Sequence, residues 1–223
     1  MVSIGPKQQM YLPKVFVEED RTLVLRLLRE NPLANVVTAH PELIVNAAPT
    51  MISEVEGQIE IRFHLAQRNT QCDALPDGAQ CLLVFTGPNC YVSPSWYAEH
   101  PNVPTWNYIA AHAHGSIRVL SESELEQLLR ELTHLHEPAV GGTWRYEEMP
   151  SDFRQELLAE IRGFCMQVTR LEAKSKLSQN RPLEDRHNVS RHLLESSSAS
   201  ARAVGQWMAE KYGVEPTHDS STE

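Results

Sequence analysis

From Gln58 to Ala66 the chain alternates without a break, with Ile59, Ile61, Phe63 and Leu65 falling at one parity and Glu60, Arg62, His64 and Ala66 at the other. Successive side chains of a strand point to opposite faces, whereas a helix would scatter these residues around its circumference. The run therefore predicts a half-buried strand with His64 on its polar face. A lone strand cannot satisfy its backbone, so partners are required, and the sequence offers several. Leu33 to Ala39 and Leu43 to Glu54 are rich in β-branched residues, and Cys81 to Phe85 is a short continuous apolar run. Tyr108 to Leu120 reads as a long strand in which Tyr108, Ala110, His112 and His114 share a face. Phe164, Met166 and Val168 alternate with Cys165, Gln167 and Thr169 as a last strand returning to the sheet.

Helices flank this strand-rich middle. Leu23, Leu27 and Leu28 mark an amphipathic helix over Glu18 to Glu30, stopped by Asn31-Pro32. Ser121 followed by Glu124 is a capping-box signature ahead of Leu125, Leu128, Leu129 and Leu132. A further cap at Ser151 predicts a helix through Leu157, Leu158 and Ile161, ended by Gly163. From Pro182 to Tyr212 the chain reads as polar and helical. The expectation is one domain over residues 1–214 with a helical C-terminal segment, and a disordered tail over 215–223.

Charge and cysteine usage narrow the function classes. With 29 acidic against 20 basic residues the chain carries a formal charge of −9. Duplex DNA is bound by displacing counterions from phosphates with a basic footprint, so this balance disfavours autonomous DNA binding. No apolar run reaches membrane-spanning length and the first residues carry no apolar signal core, so a cytoplasmic protein that avoids the membrane is expected. Cys72, Cys81, Cys90 and Cys165 fit neither a zinc pattern nor a disulfide framework, so reduced thiols are expected.

Four segments can carry chemistry. Between Thr86 and Tyr108 the chain places Tyr91, Trp96, Tyr97, Trp106 and Tyr108 among Pro88, Pro94, Pro101 and Pro104. Rigid aromatics of this kind either wall a flat organic cofactor or a subunit interface, or cap a barrel end by simple packing. His64 ends the best strand beside Arg68 and Asn69, as a metal or cofactor ligand or as a solvated imidazole. His112 and His114 point the same way from a strand, a pair that holds a metal only if a third ligand converges. His134 and His136 differ by two positions and cannot share a helical face, so they read as solvated or packing residues. Finally, Lys174-Ser175-Lys176-Leu177-Ser178-Gln179-Asn180-Arg181, placed after the last strand, reads as an anion cradle or as an ordinary polar connection.

The wording GPNCYVSPSWY, VPTWNY, AHAHG, KLSQNR and HNVSRHL resembles the PaiB family, described as FMN-binding negative transcriptional regulators. The same wider group contains haem-dependent piperazate synthases, which close a nitrogen–nitrogen bond in N5-hydroxyornithine. The resemblance runs from about Met10 to Leu194. It implies an α+β fold, an FMN-binding-type split β-barrel with flanking helices and a helical C-terminal tail, assembled as a homodimer. The chain departs from the family wording on the cofactor side. Asn46, Ala47, Ala48 and Pro49 replace a THLP-like element, Phe63 replaces Gly before the motif histidine, and Ala66, Gln67, Arg68, Asn69 stand for ARAN. These changes alter the room and hydrogen bonding available to a flavin and favour haem b over FMN.

The resemblance thus implies a haem-dependent cyclase acting on a small amino-acid substrate, with an FMN-binding regulator or a haem-degrading protein as alternatives. His64 is the expected metal ligand and His112 the expected catalytic proton donor. Trp96, Tyr97, Trp106 and Tyr108 would wall the cofactor. Arg68, Lys176 and Arg181 would meet its carboxylates, with Asn69, Gln179 and Asn180 beside them.

Overall fold

Six antiparallel strands close into a barrel in the order β1-β2-β3-β6-β5-β4 in a computed structural model that describes residues 10–39 and 41–214. The strands are β1 (Leu33–Thr38), β2 (Ile44–Val55), β3 (Gln58–Ala66), β4 (Gln80–Val92), β5 (Thr105–Val119) and β6 (Ile161–Lys176). Five α-helices accompany them: α1 (Arg21–Glu30), α2 (Glu122–His136), α3 (Ser151–Ala159), α4 (Leu183–Leu194) and α5 (Ala199–Tyr212). This is the α+β split-barrel class that the sequence implied. The expected tail over 215–223 lies outside the described residues. The chain divides into two compact units. One holds the described parts of Met1–Leu27, Thr86–Ala111 and Glu172–Glu223, the other Leu28–Phe85 and His112–Leu171.

In the second of these units, β3 shows why strict alternation fixes a strand. Ile59, Ile61, Phe63 and Leu65 are buried, while the residues between them are partly open. Antiparallel pairing with β6 sets Phe63 opposite Phe164 and His64 opposite Gly163. Directly opposed residues point to the same face, so the two phenyl rings stack at 5.3 Å within the buried layer while His64 and Gly163 share the other face. That face is covered by α2. Leu125, Leu128 and Leu132 of the helix pack with Leu120, Leu158 and Cys165, and each such leucine removed from water contributes about 1.5–3 kcal/mol. Gly163 permits the close approach, because a Cβ there would meet Leu120 Cδ1 and Leu125 Cδ1 at 3.0 Å. The start of α2 is fastened as expected. Ser121 Oγ accepts from Glu124 N at 3.3 Å, and the Glu124 carboxylate accepts from Ser121 N at 2.8 Å. The hydrogen bond from Arg118, followed by those from Ser121, holds that carboxyl down to about 2.

In the other unit, Asn107 of β5 is fully buried and donates to Ser178 Oγ at 2.9 Å and to Met208 Sδ at 3.4 Å. The Asp185 carboxylate accepts from Ala98 N at 2.8 Å, tying the aromatic segment to α4. Ser190 of α4 donates to the Gly205 carbonyl of α5 at 3.3 Å.

Several boundaries differ from the sequence expectation. The first helix begins at Arg21, not Glu18, because the Asp20 carboxylate caps it by accepting from Thr22 N at 2.8 Å. Strand β4 runs from Gln80 to Val92, past the Cys81 to Phe85 run that the sequence marked. Helix α3 has Pro150 as N-cap and ends at Ala159, since Ile161 and Arg162 are taken up in pairing with Ala66 and Leu65. Lys174 to Lys176 lie inside β6, not after it. The segment after Pro182 is two helices separated at residues 195–198.

Candidate functional site

Several residues keep a buried polar side-chain atom without a hydrogen-bond partner, Tyr97, Ser175 and His187 among them, and one of these residues, His64, lies on the wall of a cleft. The Nδ1 of His64 is buried and has no hydrogen-bond partner, and burial pushes the imidazole pKa below its ordinary 6.5. A neutral ring is the form that can ligate a metal or meet a polar guest, although the Nδ1 itself has almost no accessible surface. His64 lies on the wall of a cleft of about 510 Å³ whose lining is almost wholly apolar, with Leu129, Leu132, Trp144, Tyr146 and Leu158 among its walls. Helix register explains the α2 wall. Leu129, Leu132, Thr133 and His136 follow the i, i+3, i+4, i+7 spacing of one helical stripe, and all four line the cleft. Arg154, Glu160 and His136 bring the only ionisable groups besides His64 and Tyr146 to its described lining.

Tyr146 is the second anomaly. It is 2% exposed, yet its hydroxyl has no hydrogen-bond partner. Two guanidinium groups sit over the ring, Arg130 at 5.4 Å and Arg154 at 5.7 Å, and Trp144 meets it edge-on at 6.4 Å. Acidic residues hold the arginines in turn. Arg130 pairs with Glu147 at 3.1 Å and Glu126 at 3.3 Å, and Arg154 with Glu126 at 3.5 Å. Burial raises the phenol pKa, so Tyr146 remains a hydrogen-bond donor at neutral pH.

The other expected site residues fall as follows. Arg68 is exposed, 3.7 Å from Glu160, and Asn69 caps a single 3-10 turn by accepting from Gln71 N at 3.0 Å. His112 lies on β5 beside His114, ring centroids 6.4 Å apart, and does not line the His64 cleft. In the unit that holds the aromatic segment, Trp96 stacks on His192 at 5.1 Å and Trp106 meets Tyr91 edge-on at 6.4 Å. Tyr97 lies under the Arg181 guanidinium at 4.3 Å, and Tyr108 beside Lys174 Nζ at 5.3 Å. Lys176 donates to Thr105 Oγ1 and to the Trp106 carbonyl, while desolvation and then the charge of Lys174 lower its pKa. Arg181 donates to Asn102, Gln179 accepts from Leu177 N at 2.7 Å, and Asn180 is exposed. All four cysteines are free and buried, and burial pushes the Cys90 thiol up to about 11, which removes it as a ready thiolate.

Tyr146 goes unmarked in the sequence, whereas His136 reads there as a solvated or packing residue and is exposed in the structure. For Tyr146 there was no signal, since neither its loop nor its spacing is periodic. His136 was legible from its spacing to Leu129 and Leu132, a comparison more telling than its offset from His134.

The fold is shared with flavin- and haem-associated proteins of known structure. A FAD and haem binding protein from Mycobacterium smegmatis superposes with a TM-score of 0.54 at 20% identity, covering 71% of this chain and 72% of that one. The flavocytochrome Anf3 from Azotobacter vinelandii gives 0.56 at 15% identity, covering 72% and 69%. Residues 10–170 match the family described as "Putative FMN-binding domain". The chain is also 30% identical over 203 residues to the Bacillus subtilis protease synthase and sporulation protein PAI 2, covering 91% of this chain and 98% of that protein. It belongs to this PaiB-like split-barrel family of FMN-binding domains. No described helix is long and apolar enough to cross a membrane.

Proposed function

We propose that the protein is a haem b-binding enzyme that uses His64 as the iron ligand. One observation carries the reading: an imidazole, its pKa lowered by burial, on the wall of an apolar cleft. Such walls suit the faces of a porphyrin, and Arg154, which also pairs with Glu126, is the cation of that lining for a carboxylate. A flavin would ask for a phosphate cradle, and the nearest match to one in the sequence, Lys176 and Arg181, already serves Thr105, Trp106 and Asn102. The specific observation favouring FMN is the family description itself. A PaiB-type regulator therefore stands as the second reading.

For the reaction, the resemblance of the sequence to the group that contains the piperazate synthases supports a cyclase acting on N5-hydroxyornithine, whereas Phe63, expected to alter the cofactor's room, is fully buried on the face of β3 away from His64. When bound, haem supplies a Lewis acid for the N–O bond. The α-amine forms the N–N bond as that N–O bond breaks, and the hydroxyl departs as water with a proton from the amine, so no net oxidation occurs. His64 orients the cofactor, and the leucines of α2 keep water from the cleft. A homodimer is part of the proposal, with the exposed Trp106–Tyr91 pair as candidate interface.

The test is spectroscopic and then chemical. Protein purified from haem-supplemented cells is expected to show a Soret band and to convert N5-hydroxyornithine, but not ornithine, to piperazate by mass spectrometry. Twin flavin bands with salt-resistant operator binding would instead establish the regulator.

A further inference from the structure

Helix α3 is held far more weakly than α2 beside it. Of its nine residues only Leu158 is buried, Arg154 is half-buried and the rest are exposed. Its start has no side-chain cap, whereas α2 has a capping box and three buried leucines. A helix shorter than about 12 residues is marginal in water and depends on the packing of an apolar stripe. In α3 that stripe is present but unpacked, with Phe153 and Leu157 one turn apart on one face, 52% and 45% exposed. The ion pair of Arg154 with Glu126 is partly open to solvent, where such pairs contribute little. Open space also flanks the helix. The His64 cleft has Arg154, Leu157 and Leu158 in its lining, and a second cleft of about 540 Å³ has Gln155, Leu158 and Ala159. The single buried side chain of α3 therefore borders both clefts, and a segment with so few buried contacts opens at low free energy. Its far end is fastened, since the Glu160 carbonyl accepts from Gln67 N at 2.7 Å.

We infer that α3 is the lid of the His64 cleft. In the free protein it loosens about its fastened end, and over a bound guest it packs down, laying Phe153 and Leu157 on the guest as a further apolar wall. The guest is taken from the haem reading, on which the closing step rests, while the looseness of the free helix does not depend on it. Removal of two large apolar side chains from water drives the closure. Phe153 is the informative residue, because it does not line the cleft in this structure and reaches a guest only if the helix moves.

Hydrogen exchange read by mass spectrometry compares α3 with α2 in the full chain, with and without hemin. Without hemin, the amides of residues 154–159 should exchange roughly a hundredfold faster than the central amides of α2, and with hemin bound they should slow roughly tenfold. Phe153→Ser should melt with wild type and lose haem to apomyoglobin roughly tenfold faster, the effect of one covered phenyl ring. Exchange in α3 as slow as in α2 in the free protein overturns the inference, because a helix that does not open is no lid. Phe153→Ser melting well below wild type also overturns it, by showing the ring already packed in the fold. A Soret band with unchanged α3 exchange, or with equal haem loss from Phe153→Ser, overturns it while leaving the haem reading intact. No Soret band in wild type overturns the haem reading and closure over haem together.

Discussion

Two polar regions of this protein differ in how their named donors are used. Around Asn107, Lys176 and Arg181, every donor named is spent on a neighbour: Asn107 on Ser178 and Met208, Lys176 on Thr105 and Trp106, Arg181 on Asn102. Around the cleft, His64 and Tyr146 keep a buried polar atom each without a partner. A made hydrogen bond stabilises a fold, whereas a buried unpaired polar atom lowers its stability, and the first region keeps such atoms too, at the Tyr97 hydroxyl and Ser175 Oγ. Lys176 and Arg181, which read as an anion cradle in the sequence, are engaged by neighbours within the fold, while Tyr146 of the cleft lining has no sequence signature.

The contrast can be broken by substitution. His64→Ala should abolish the Soret band while leaving urea unfolding within about 1 kcal/mol of wild type, because the side chain lies outside the buried layer of β3. A stable His64→Ala protein with an unchanged Soret band would remove His64 as ligand. Asn107→Ala should do the reverse, costing about 2–3 kcal/mol in urea unfolding by orphaning buried partners and leaving haem uptake intact. Equal effects of both variants on stability would erase the distinction between the clusters.

Trp106→Ala probes the surface of the satisfied region. The indole is 54% exposed and Tyr91 49% exposed, so its loss should cost little monomer stability and weaken self-association by roughly tenfold in sedimentation. An unchanged molecular mass at every concentration would exclude this pair from the interface. The smallest effect concerns pH. Burial holds the folded His64 pKa below 6.5, so the unfolded chain binds the proton first. The His64 contribution to stability is therefore full above about pH 6.5 and is lost as pH falls from that value through the lower folded pKa. Stability against pH in His64→Ala should be flatter in that window, and a parallel slope would show that other groups set it.

Legibility followed periodicity. The alternation of Gln58 to Ala66 gave β3 with its ends, and the Ser121–Glu124 spacing gave the start of α2, because each is a local rule that the tertiary structure did not override. Beyond the run from Cys81 to Phe85 that marks a strand in the sequence, β4 continues through Gly87, Pro88 and Asn89 to Val92, where no local apolar pattern signals it. His64 was found because it sits on a legible strand. Tyr146 was not, because what makes it unusual is a missing partner, and partners contributed by Arg130 and Arg154 from other elements are invisible in one dimension.

Opposite His64 in the ladder stands Gly163, and that pairing gives the molecule a tuning screw. A methyl group there would crowd Leu120 and Leu125 at 3.0 Å, and Leu125 belongs to the same helix as the leucines of the cleft wall. The spacing between imidazole and wall is thus adjustable from a position that touches no guest. A lineage or a designer wishing to admit a larger ligand could begin at residue 163, trading a few tenths of an ångström of helix position for a differently sized opening.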